Sequence, residues 1–113
     1  MMDREFAPAV YLLASRRNGT PYTGVTSDLR GRIYKHRNGL LPGFTRDYRV
    51  KMLVWFEQHS TIEEAILREK RIKKWNRAWK LKLIETDNPD WRELAEDFGF
   101  EPLGQTGFPL SRE

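Results

Sequence analysis

The chain has 113 residues, the size of one domain with a modest core, and no cysteine, which excludes disulfides and thiolate-ligated zinc. No apolar run approaches the roughly 18 residues of a membrane span and no signal-peptide pattern opens the chain, so the expected setting is soluble and cytoplasmic, without a membrane partner. The net charge of +4 conceals an asymmetry: residues 27–84 carry 15 Lys/Arg against 6 Asp/Glu, and residues 85–113 carry 2 against 8. Such a distribution fits either a plain solvated surface or one face for a polyanion with the acidic end turned away from it.

The first strand is expected over Ala9–Ala14 (Ala-Val-Tyr-Leu-Leu-Ala), followed by an Asn18-Gly19 hairpin turn and a return strand from Thr20 to Val25. With Asn18-Gly19 as a two-residue loop, Ser15 pairs with Tyr22. Tyr11 and Tyr22 then point to the same face. Thr26 or Ser27 is expected to cap the next helix, with Asp28 in its first turn and Asn38-Gly39 as its stop. Leu29 and Ile33 anchor that helix, and Arg32 and His36 lie one turn apart beside them. Leu40 to Arg49 reads as a polar loop and Val50 to Glu57 as the third strand.

Ser60 or Thr61 opens a second helix that runs to Trp75. Asn76 separates it from a further helix over residues 77–85. A last short helix is expected after Asn88-Pro89-Asp90, with Trp91, Leu94 and Phe98 on one face. Residues 101–113 read as a loose tail behind a single domain over 1–100. The order ββαβαα implies an α+β fold, a small three-stranded antiparallel sheet flanked by helices.

One residue breaks the helical pattern. Ile62, Ala65, Ile66 and Ile72 form an apolar stripe, and Glu69 falls inside it. A core-facing carboxylate is costly unless a cation meets it, either a base such as Arg32 in an ion pair or a metal. Taken singly, Tyr11, Tyr22, Arg32 and His36 each have an ordinary structural explanation. The five together point to a site.

Ala9-Val10-Tyr11, then Tyr22-Thr23-Gly24, then Arg32 and His36 on a helix, then Glu69 on a later helix, resembles the GIY-YIG nuclease superfamily over roughly residues 8–85. The strings from Asn18 to Thr26, Gly43-Phe-Thr45, Glu64 to Trp75 and Asn88-Pro-Asp-Trp91 are similar to its small stand-alone bacterial members, the endonuclease- or excinuclease-like subgroup. Gly-Ile-Tyr has become Ala-Val-Tyr, and Tyr-Ile-Gly has become Tyr-Thr-Gly. Both tyrosines and the second glycine remain.

The resemblance implies a metal-dependent endonuclease hydrolysing DNA phosphodiesters with little sequence specificity. Its DNA would be branched or single-stranded, with RNA left open. Glu69 would be the one protein ligand of a Mg2+ or Mn2+ ion, and Arg32 would hold the scissile phosphate. Tyr22 would be the general base, a role that needs a nearby cation because an unperturbed tyrosine has a pKa near ~10. Tyr11 would orient Tyr22 or the water. His36 would contact phosphate, relay a proton or position Tyr22. Arg30, Lys35, Arg37, Arg46, Lys70, Lys73, Lys74 and Arg77 are the expected phosphate contacts, whereas the interleaved Trp75 and Trp79 are read as core residues. The alternative is a nucleic-acid-binding protein that keeps the fold and cuts little.

Overall fold

The computed structural model describes residues 7–103. Its centre is the strand β1, Ala9–Ala14, every residue of which is buried. That explains why this strand is a continuous apolar run rather than an alternating one: both of its faces are covered. β2, Tyr22–Thr26, pairs antiparallel on one side of it, and β3, Met52–Gln58, on the other, giving the order β2-β1-β3.

Helix α1 spans Leu29–Arg37, and a four-residue helix α2 (Phe44–Asp47) interrupts the segment expected to be loop. α3 spans Ile62–Lys73 and α4 spans Arg77–Asp87, and a 3-10 helix over Leu94–Phe98 closes the described chain. One core joins Val10, Leu12 and Ala14 of β1 to Ala65 and Ile72 of α3 and Ile84 of α4. The other joins Ala9, Tyr11 and Leu13 to Leu29 and Ile33 of α1 and Ala95 of the closing helix. The period-two alternation of β1 divides its side chains between the two layers. The result is the expected α+β domain: a small antiparallel sheet covered by helices on both faces.

The hairpin differs from expectation by two residues: Leu13, not Ser15, faces Tyr22. The turn runs from Arg16 to Gly19, closed by Gly19 N–H donating to the Arg16 carbonyl at 3.0 Å, and Asn18 takes the left-handed conformation at φ 62°. Thr20 and Pro21 then stay outside the ladder, where proline has no N–H to donate. A two-residue shift preserves side-chain parity, so Tyr11 and Tyr22 still share a face.

The α1 cap is Asp28 rather than Thr26 or Ser27. Its carboxylate accepts from Gly31 N–H at 3.1 Å, while the Thr26 hydroxyl takes the Asp28 N–H at 3.0 Å. Thr61 and Asn76 cap α3 and α4. Trp91 departs from its expected place. At φ 55° it lies before the closing helix and packs into the α3/α4 core, whereas Leu94 and Phe98 belong to the opposite one. Of the tail, Glu101 offers its carbonyl to Arg37, and residues 104–113 lie outside the described residues.

Candidate active site at the β2 edge

Tyr11 rises from the central strand into the layer under α1 and is 1% exposed. Its neighbour across the ladder is Gly24, where an added Cβ would stand 2.4 Å from the Tyr11 ring carbon Cζ and hydroxyl. The glycine of Tyr22-Thr23-Gly24 is therefore required by the tyrosine of Ala9-Val10-Tyr11, since any side chain there would displace it. The Tyr11 hydroxyl lies 3.0 Å from His36 Nε2, and His36 Nδ1 lies 3.2 Å from Thr45 Oγ1. Both tyrosine rings meet the imidazole edge-on, with centroids 5.7 Å (Tyr11) and 6.0 Å (Tyr22) away. His36 thus braces the pair from α1, and α2 braces His36 through Thr45.

Burial raises the Tyr11 hydroxyl well above the usual phenol range, and the nearby Arg32 only partly opposes this. Tyr11 remains protonated. Burial, reinforced by the Arg32 charge, pushes His36 down to about 4. At neutral pH the imidazole is uncharged, donating from one nitrogen and accepting at the other, which satisfies the Tyr11–His36–Thr45 chain. A neutral His36 cannot be the cation that activates Tyr22. Arg32, half-buried on α1 one turn before His36, has no carboxylate partner among the described residues.

Glu69 belongs to α3, whose apolar residues sit in the other core, yet its charge reaches Tyr11. The five residues are therefore gathered across the edge strand β2 rather than on one sheet face. Glu69 is 7% exposed, and Lys73, one turn on, places its ammonium 2.6 Å from Oε2. The base in the ion pair is Lys73, not Arg32, and the carboxylate raises the lysine pKa. Lys73 is itself 54% exposed along its side chain, so it can swing away from the carboxylate. No group of three His, Cys, Asp or Glu side chains gathers among the described residues. A soft-metal cage is not built there. One oxygen donor already matched to a cation suits a hard divalent ion whose remaining ligands are water and substrate oxygens.

Sequence reasoning gave no role to Thr45, because its segment has no periodic pattern. The pairing of Glu69 with Lys73 was available from their four-residue spacing. Of the expected phosphate contacts, Lys35, Lys70 and Lys74 are exposed. Arg37 is tied to Glu93 at 3.2 Å and to the Glu101 carbonyl at 2.6 Å, and the Arg30 and Arg37 guanidiniums lie 5.6 and 5.0 Å from the Phe100 ring centroid. Arg77 donates to the Asn18 carbonyl, Arg46 is exposed, and Lys73 holds Glu69.

The sequence model of the GIY-YIG catalytic domain matches residues 7–82, which takes in both strand motifs, α1 and all of α3. The chain is a member of the GIY-YIG superfamily. It is similar to small UPF0213 proteins of staphylococci: 38% identical over 84 residues to one from Staphylococcus epidermidis, covering 74% of this chain and 98% of the relative. One from Staphylococcus saprophyticus is 39% identical over 83 residues, covering 74% and 96%. One from Staphylococcus aureus strain N315 is 37% identical over 84 residues, covering 74% and 98%. No solved structure matches the chain. Membership places the protein in a nuclease superfamily, whose substrates are nucleic acids. No helix of the described residues is long and apolar enough to cross a membrane.

Proposed function

We propose that this GIY-YIG protein is a divalent-metal-dependent endonuclease that hydrolyses DNA phosphodiester bonds with little intrinsic sequence preference. The observation that carries the reading is Glu69: a buried carboxylate on a core-facing position, in electrostatic reach of Tyr11 and held by a displaceable lysine. A structural ion pair has no need of that burial, because an exposed i,i+4 pair stabilises a helix without desolvating the acid.

Glu69 would hold the Mg2+ or Mn2+ ion, with Lys73 moving to the phosphate side. Bound there, the ion supplies neutralisation of the charge that builds on phosphorus and on the leaving oxygen. Arg32 grips a non-bridging oxygen of the scissile phosphate, a task suited to an uncommitted guanidinium in a partly dry site. Tyr22, half-buried on the edge strand β2, takes the proton of the attacking water at its hydroxyl as it gives its own phenolic proton to solvent. Tyr11, locked in its protonated form, fixes the position of the pair through its hydrogen bond with His36. His36, being neutral, positions Tyr22 instead of activating it.

Cleavage of supercoiled plasmid and of a branched DNA, in magnesium and then manganese at low salt, tests this. Glu69→Ala and Arg32→Ala should each lower the rate by roughly a hundredfold or more while leaving the circular dichroism spectrum unchanged. Equal cleavage by wild type and both variants would assign the activity to another site. Binding without cleavage by wild type would make the protein a DNA binder that keeps the nuclease fold.

A further inference from the structure

The four tryptophans divide into two pairs, and of Trp75 and Trp79, both expected in the core, Trp79 lies outside it. Trp55 and Trp91 are buried, and their indole N–H groups donate to Asp87 and Glu85, each at 2.9 Å. Trp75 is half-buried and Trp79 is 58% exposed, and among the described residues neither indole N–H has an acceptor. Trp79 begins a stripe on α4 (Trp79, Lys82, Leu83, Thr86) that walls an open cavity of about 360 Å3 together with Trp75. The two rings meet edge-to-face at 6.0 Å, which leaves a broad indole surface of Trp79 uncovered. Trp75 is held in turn by the Arg68 guanidinium, 5.5 Å from its centroid. Trp79 is fixed by its backbone, whose N–H donates to the Asn76 cap at 2.8 Å.

We infer that this cavity binds a nucleobase: Trp79, braced by Trp75, stacks on one unpaired base of a nucleic-acid strand whose phosphates lie among the surrounding cations. The inference rests on the nucleic-acid reading above and adds a site to it. Charge complementarity selects the occupant. Eight Lys/Arg lie between Arg68 and Lys82, with Glu69 the single acid among them. Two copies joined symmetrically through this groove would bring like charges together. A strand offers what the groove lacks, a flat π-face beside negative charge, and aromatic platforms with cationic margins take single strands in that way. A base inside a duplex has both faces covered by its neighbours, so the site favours unpaired nucleotides.

The test is binding of a labelled single-stranded oligonucleotide and of a blunt duplex, followed by fluorescence anisotropy with chelator present so that nothing is cut. Trp79→Ala should weaken single-strand binding roughly tenfold and leave duplex binding within about twofold, and Trp79→Phe should retain most of the affinity. Unchanged single-strand binding in Trp79→Ala, or an equal loss on both DNAs, overturns the base site while leaving the nuclease reading in place. Failure of the wild type to bind either DNA overturns both. Sedimentation that shows a wild-type dimer dissolved by Trp79→Ala would make the groove a contact between copies and likewise overturn the base site.

Discussion

His36 shows how much one side chain settles. It is 4% exposed, touches Tyr11 and Thr45 through its two nitrogens, meets both tyrosine rings, and lies within reach of the Arg32 charge. Burial, with the Arg32 charge beside it, favours the neutral ring, so the folded pKa of about 4 lies below the usual 6.5. The sign follows by linkage. In that window the unfolded chain binds a proton the folded chain refuses, so stability is full above about pH 6.5, falls as pH drops, and levels off below about 4. Unfolding in urea at several pH values, for wild type and His36→Gln, isolates the contribution. The variant should lose less stability between pH 6.5 and 4 than the wild type. Parallel curves would show that His36 does not carry the dependence. The comparison is needed because Glu93, raised by its own burial, contributes with the opposite sign at the acid end.

The elements owe their places to a few polar clamps as much as to the two cores. The clearest is Glu93, which precedes the closing helix. Its Oε1 accepts from Leu53 N–H at 2.8 Å and Ala95 N–H at 2.9 Å, and its Oε2 pairs with Arg37 of α1. Leu53 is the partner of Leu13, beside the slip in register between β3 and β1, and the carboxylate satisfies its backbone N–H on this edge strand. Glu93→Ala should cost about 3–5 kcal/mol, since it strands two buried amides and a guanidinium. Glu93→Gln, which keeps a carbonyl oxygen for the amides, should cost about 1–2 kcal/mol. Urea midpoints measure both, and an alanine variant near wild type would mean the clamp is dispensable. This joint was not legible in the sequence, because nothing local distinguishes Glu93 from other acids of that segment. Much else was. The run Ala9–Ala14 marked a strand, Asn38-Gly39 stopped α1, Asn76 separated α3 from α4, and Glu69 stood out against its own stripe. The hairpin register went astray because Pro21 removes a ladder donor, and Trp91 because a left-handed residue turned it into the opposite layer. Trp79 was unreadable from spacing, since the helical period gives two apolar stripes on α4 and only tertiary packing decides which one is covered.

For the whole molecule the decisive property is where its charge remains available. The acidic end does not merely offset the basic middle: Glu93 and the Glu101 carbonyl engage Arg37, and Phe100 sits against Arg30 and Arg37, so this side of α1 is committed to the fold. A dense run of exposed cations, Lys70, Arg71, Lys74 and Lys82, lies along α3 and α4, the stretch that carries Glu69 and borders the Trp79 groove. Beyond the scissile phosphate at Arg32, a polyanion should therefore be held by Lys70 and Lys74 rather than by Arg30 and Arg37 of α1. Each phosphate contact releases condensed counterions and adds to the slope of log affinity against log salt. Titrating duplex DNA binding from about 50 to 200 mM salt, Lys70→Ala and Lys74→Ala should each reduce that slope by about one unit and weaken binding evenly across sequences. Arg92→Ala serves as the contrast: Arg92 is spent in a two-bond pair with Asp97 at 3.1 Å on the acidic segment, so its removal should leave the slope unchanged. An equal change for all three would mean that overall charge, not the α3–α4 surface, attracts the nucleic acid. A change confined to the two lysines would place the strand along α3, where it passes Glu69 before reaching Trp79.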